Sequence, residues 1–194
     1  SRQMSLGESD GSNYHESMPL PGKIWRHITF GTYNSWLPGD PRGFRDHDHR
    51  VHSGGDHRCQ PPQGEHDGLH EYAKRHSGKP IVIRKADRLI VLQSIRRKLD
   101  SMEHRFVIIA SCAMHVHVLV ELPDDGKLIR RFVGQLKRTA SHALRNVSPG
   151  RVWARGGNHE PVVTRAHHRA VYDYLRRHDK AWVWTLKDGV FFNG

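Results

Sequence analysis

Apolar residues recur along this chain with two different periods, and the points where the period changes divide it into elements. From Ile24 to Trp36 the period is two: Ile28, Phe30 and Thr32 alternate with Thr29, Gly31 and Tyr33, which predicts a strand. Leu37-Pro38-Gly39-Asp40-Pro41 ends it with turn residues. Ile81 to Ile83 is a short apolar run. From Asp87 to Glu103 the period becomes helical, with Leu92, Ile95, Leu99 and Met102 on one stripe and Arg88, Arg96, Arg97 and Lys98 largely elsewhere. Phe106 to Ala113 and His115 to Leu122 read as two further strands. The break between them is so short that they form either a tight hairpin or a bulged, continuous pair. Asp124 or Asp125 caps a second helix that runs to about Asn146, with Leu128, Phe132, Leu136, Ala140 and Ala143 as its apolar face. Asn158 to Thr164 predicts a strand after the turn Gly156-Gly157, and Thr164 caps a last helix from Arg165 to His178. Trp182 to Phe192 predicts an edge strand or packing arm. There is no internal repeat, and the pattern is that of a mixed α/β domain.

The length, 194 residues, suits one domain, placed at residues 21–194 behind a polar, disordered tail at 1–20. Residues 39–80 interrupt the pattern. They are rich in Gly, Pro and His and hold His47, His49, His52, His57, His66, His70, His76 and Cys59. Their spacing matches no standard zinc finger, so they read as an extended, partly ordered insertion lying on a basic surface. No run approaches the roughly 18 apolar residues of a membrane span, and the first 20 residues lack an apolar signal core. With only Cys59 and Cys112, in unlike settings, no disulfide framework is expected. These features fit a reducing, cytoplasmic compartment with no membrane partner. Charge then names a partner class. Lys and Arg outnumber Asp and Glu by 31 to 20, and the net charge is +11, which favours a polyanion, nucleic acid first. The helix after Asp125 concentrates this excess in Lys127, Arg130, Arg131, Lys137, Arg138 and Arg145, with no acidic residue among them. It can rest its apolar face on a sheet while meeting phosphates.

Candidate chemistry lies in Met114-His115-Val116-His117-Val118-Leu119-Val120. On a strand, residues i and i+2 share a face, so His115 and His117 project side by side while Val116, Val118 and Val120 fill the other face. Two adjacent imidazoles are a ready pair of metal ligands. Far downstream, Tyr174 and His178 are four residues apart and share a helical face, from which Tyr172 points away.

Taken together these segments resemble the HUH-type single-tyrosine transposases, a group that includes the REP-associated tyrosine transposases. The residues that carry the resemblance are 114–120, the helix through Phe132, Leu136 and Lys137, Val152-Trp153-Ala154-Arg155, and Val171 to His178. The opening strand Ile28 to Tyr33 fits as well, so the resemblance covers residues 24–36 and 81–180. It implies an α+β, ferredoxin-like fold: an antiparallel sheet with helices mainly on one face, the His-x-His pair on a central strand and the tyrosine on a late helix. It further implies that His115 and His117 are metal ligands, that Tyr174 is the nucleophile, and that the residue four after it completes the metal site. That residue is usually Asn or Gln in the family and is His178 here.

The resemblance implies a transposase: a metal-dependent endonuclease and strand transferase acting on single-stranded DNA at hairpin ends. It forms a 5′-phosphotyrosine and frees a 3′ hydroxyl that can attack in the reverse step. The cofactor implied is Mg²⁺ or Mn²⁺, and imidazole ligands favour Mn²⁺ or a later transition metal. Arg130, Arg131, Lys137 and Arg138 are candidates to track the hairpin backbone. Trp36, Trp153, Trp182 and Trp184 can either stack unpaired bases or pack in the core. Family members act as monomers or homodimers. Two other readings stay open: a zinc-dependent hydrolase with water as nucleophile, and a domesticated, non-cleaving DNA- or RNA-binding protein on the same fold.

Overall fold

The computed structural model describes residues 18–41 and 64–194. Its element order is β1 (Lys23–Gly31), α1 (Asp67–His76), α2 (Lys85–Ser101), β2 (Phe106–Ser111), β3 (His115–Pro123), α3 (Gly126–Leu144), β4 (Asn158–Val162), α4 (Arg165–Arg176), β5 (Ala181–Thr185) and β6 (Gly189–Asn193). This is an α+β fold. The six strands form one sheet in the order β4-β1-β3-β2-β5-β6, and every neighbouring pair is antiparallel. β3, which carries the His-x-His pair, is interior, paired to β1 on one side and β2 on the other.

Strand alternation divides the interior into two cores. On one side Ile28 and Phe30 of β1 and Val116, Val118 and Val120 of β3 meet Leu92, Ile95 and Leu99 of α2 and Phe132, Leu136 and Ala140 of α3. On the other, Trp25, Ile108, Ala110, Leu119 and Val183 meet Val171, Tyr172 and Leu175 of α4. The sheet is therefore covered on both faces, with α2 and α3 on one and α4 on the other. β3 is buried along nearly its whole length, so neither face can be left to solvent.

β2 and β3 form a tight hairpin across Cys112, Ala113 and Met114, closed by the Cys112 amide donating to the His115 carbonyl at 2.9 Å. Asp125 caps α3 by accepting from the amides of Lys127 and Leu128 at 2.7 and 3.1 Å. Thr164 caps α4 by accepting from the His167 amide at 3.1 Å.

Several expectations need correction. The buried stripe of α3 is Ile129, Phe132, Val133, Leu136, Ala140 and Leu144, whereas Leu128 is 47% exposed. Leu128 is one residue, about 100°, from the buried Ile129 and so falls outside the stripe. The first strand ends at Gly31, after which Thr32 bridges Trp153 as an isolated pair. The tail is a hairpin, with β5 an interior strand and β6 the edge. Within 39–80, the part that is described contains the helix α1 where an extended chain was expected. α1 carries cations in its last turn, a Glu71–Lys74 ion pair at 3.0 Å and a stacked Tyr72–His76 pair. Its N-terminal turn lies against Gly39 (φ +80°), where a Cβ would fall 2.5 Å from the His70 nitrogen, so only glycine fits. The tail 1–17 and His47, His49, His52, His57 and Cys59 lie outside the described residues.

Candidate active site

β3 and the end of α4 bring together the residues on which the sequence reading depends. His115 and His117 point from β3 toward α4, their ring centroids 4.7 Å apart. His178 follows the C-cap of α4, which ends at Arg176, two residues short of the expected boundary. Its ring lies 5.0 Å from His115 and 5.2 Å from His117. The Nε2 atoms of His115 and His178 approach to 3.1 Å. Two imidazole nitrogens this close share either a proton or a cation. His178 is fixed from behind, because Asn193 on β6 donates to the carbonyls of Arg176 and His178 at 2.6 and 3.3 Å.

His117 is the most constrained of the three. It is 5% exposed, and its Nε2 is buried with no hydrogen-bond partner. Its Nδ1 lies 2.9 Å from Thr29 Oγ1 and 3.0 Å from His27 Nε2. The tautomer that carries its proton on Nδ1 donates it to this pair and leaves the Nε2 lone pair free. That is the usual way a protein orients a metal-binding histidine. Burial, and then the neighbouring His115, His27 and His178, hold the His117 pKa well below the ordinary histidine range. His117 is therefore neutral at pH 7, as a ligand must be. Burial lowers the His27 pKa too.

Cys112 completes the group. It is buried in the hairpin turn, with Sγ 3.4 Å from His178 Nδ1. One donor atom from each of Cys112, His115, His117 and His178 can be chosen so that all lie within 4.8 Å of one another. The orphaned Nε2 of His117 and this nitrogen-rich donor set fit a divalent metal ion, so the group can bind one.

Tyr174 flanks the cluster. It lies on α4 and is 53% exposed, with its ring 5.9 Å from His117 and 5.5 Å from His178. It lines an open surface hollow with Ala170, Asp173, Arg177, His178 and Asp179. Burial of part of the ring, and then Cys112, raise the phenol pKa. Tyr172 faces the opposite way, into the α4 core.

The structure does not bring the expected DNA-binding cations to this site. α3 packs on the face of the sheet opposite the histidines. Arg130, Arg131 and Arg138 are exposed there. Lys137 differs from them. Its ammonium donates to the carbonyls of Ala154 and Gly156, and burial lowers its pKa to about 8. Trp153 and Trp184 are core residues and cannot stack bases, and Trp182 is half-buried, its indole N–H donating to the Lys85 carbonyl at 2.9 Å. Trp36 is 54% exposed.

Sequence reasoning missed Cys112, His27 and Thr29. The spacing Cys112-x-x-His115-x-His117 carried a signal for the first. The other two depend on the β1–β3 register, which sets Thr29 opposite His117. No protein-family model, curated protein or solved structure matches the chain. Among the described residues, no helix is long and apolar enough to cross a membrane.

Proposed function

We propose that this protein is an HUH-type single-tyrosine transposase that nicks and rejoins single-stranded DNA at hairpin ends. One observation carries the reading: a half-exposed phenol, Tyr174, packs beside three clustered imidazoles, one of which has a buried and unpartnered Nε2. The sheet order β4-β1-β3-β2, with α2 and α3 packed on one face, supports the ferredoxin-like reading, to which β5, β6 and α4 are additions.

In this mechanism the Tyr174 oxygen attacks phosphorus, a bond to the 5′ phosphate forms, and the bond from phosphorus to the 3′ oxygen breaks. The phenol gives up one proton and the 3′ oxygen takes one up, so the exchange is balanced. The phosphodiester energy is kept in the phosphotyrosine, and the 3′ hydroxyl reverses the step when it rejoins. A divalent cation held by His115, His117 and His178 would offset the charge that develops on the phosphate. The open hollow gives a strand access to Tyr174 from solvent. Thr29 and His27 hold the His117 ring in place.

The test is incubation with hairpin-forming single-stranded DNA and a divalent metal, followed by denaturing electrophoresis. A protein–DNA band that survives denaturation, needs metal and disappears in Tyr174→Phe supports the reading. Tyr172→Phe should keep the band. Cleavage without any adduct would favour the zinc-dependent hydrolase, a reading to which the additional donor Cys112 lends weight.

A further inference from the structure

Cys112 is held more rigidly than a turn residue usually is. Its own amide donates to the His115 carbonyl at 2.9 Å. The next two residues are anchored from outside the hairpin: the Ile83 amide donates to the Ala113 carbonyl and the Thr32 amide to the Met114 carbonyl, both at 2.7 Å. The strand parity of β2 continues through the turn, so Cys112 lies on the same side as Ile108 and Ala110, within the core beneath α4. Its thiol is therefore delivered beside His178 by a fixed backbone. The His178 Nδ1 also lies 3.2 Å from the Asp179 carbonyl. A proton on that nitrogen leaves the His178 Nε2 lone pair directed at His115.

We propose that Cys112 is a fourth donor, bound as thiolate, so that this site takes a thiophilic divalent metal of the zinc class rather than Mg²⁺. The proposal rests on the metal-site reading above. Imidazole nitrogen and thiolate sulfur are both zinc donors, and four of them suit its tetrahedral geometry, whereas Mg²⁺ demands oxygen ligands near octahedral geometry. Bonds of about 2.0–2.3 Å put tetrahedral donors roughly 3.4–3.8 Å apart. The four donors already lie within 4.8 Å of one another, so closing the set draws the widest pair together by about 1 Å. On binding, the S–H proton is released to solvent and a sulfur–metal bond replaces it, with no change of oxidation state. Four protein donors fill a tetrahedral sphere, so a phosphate oxygen must enter as a fifth ligand or displace one of the four.

The test is Co²⁺ titration of the full-length protein, followed by absorption. Co²⁺ replaces zinc in such sites and reports its ligands. A thiolate ligand adds a near-ultraviolet charge-transfer band to the visible d–d bands. The expected result is both sets in the wild type and in Cys59→Ser, with the near-ultraviolet band lost and the visible bands kept in Cys112→Ser. Because Cys112 is buried, Cys112→Ala is run alongside, and the spectra of the wild type and Cys59→Ser decide the matter should neither variant fold. Visible bands without the near-ultraviolet band in the wild type would leave the histidine site standing and overturn the role of Cys112. Loss of the band in Cys59→Ser would also overturn it. A protein that gives no Co²⁺ spectrum at all would overturn the metal site itself.

Discussion

His117 shows how much of the site is decided by single atoms. Its Nε2 is buried without a partner, while its Nδ1 is occupied by Thr29 and His27, which orient the ring. Thr29→Val keeps the shape and removes the hydroxyl. It should weaken metal binding by about 10–100-fold, as measured by competition with a chelating indicator, while the melting temperature changes little. An unchanged affinity would mean that Thr29 is a bystander. The lowered pKa values of His117 and His27 also set a pH dependence. Each folded-state value lies below the unfolded value of about 6.5, so below that pH the unfolded chain binds more protons. In metal-free protein this contribution to stability is fully present above pH 6.5 and declines as the pH falls toward the folded-state values. Urea melts between pH 7.5 and 5 should show the decline, and a flat profile would show that these rings are not buried neutral. Tyr172 and Tyr174 illustrate what helical phase alone can separate: two residues apart on α4, one is core and the other is half-exposed.

At the scale of elements, the sequence periods located β1, β2, β3 and α4 but ran β5 and β6, whose Asn193 holds His178, together as one edge strand or packing arm, and they erred where burial rather than period decided the outcome. The alternation in β3 was readable because its two faces carry chemically different side chains. The stripe of α3 was misread by one position at Leu128, since a leucine beside an isoleucine gives no clue to which one faces the sheet. Urea unfolding distinguishes the two phases. Leu136→Ala should cost about 2–5 kcal/mol, because Leu136 is fully buried. Leu128→Ala should change stability by no more than about 0.5 kcal/mol. Similar costs for both would refute the observed packing of α3. The end of α4 was placed two residues late because the sequence held no break before Asp179, whereas the chain turns at Lys180 with φ of +51° to enter β5. His27 and Thr29 belong to the site through pairing between strands distant in sequence, which no local period records, whereas Cys112 was legible in its spacing from His115 and His117.

For the molecule as a whole, the arginines of α3 and the tyrosine–histidine cluster lie on opposite faces of one sheet, while Arg177 lines the Tyr174 hollow. Arg130, Arg131 and Arg138 project from α3 on one side, and Tyr174 with the histidines occupies the other. Single-strand or hairpin affinity should therefore fall steeply with salt. Arg130→Ala combined with Arg138→Ala should flatten the slope of log affinity against log salt by about 1–2 units. The single-turnover rate at saturating DNA should be unchanged by that double variant, since neither residue is near the tyrosine. A rate that falls while the slope stays fixed would mean that α3 does not bind the backbone. The central claim is that Tyr174 becomes covalently joined to DNA, and peptide mapping of the reacted protein tests it most directly. After incubation with a hairpin-forming oligonucleotide and, in separate reactions, Mn²⁺ and Zn²⁺, digestion and mass spectrometry should recover the peptide containing Tyr174 with the 5′ phosphate and its attached nucleotides on the phenol. The same DNA cut to free 5′-phosphate ends, with Tyr174 unmodified, would contradict the account.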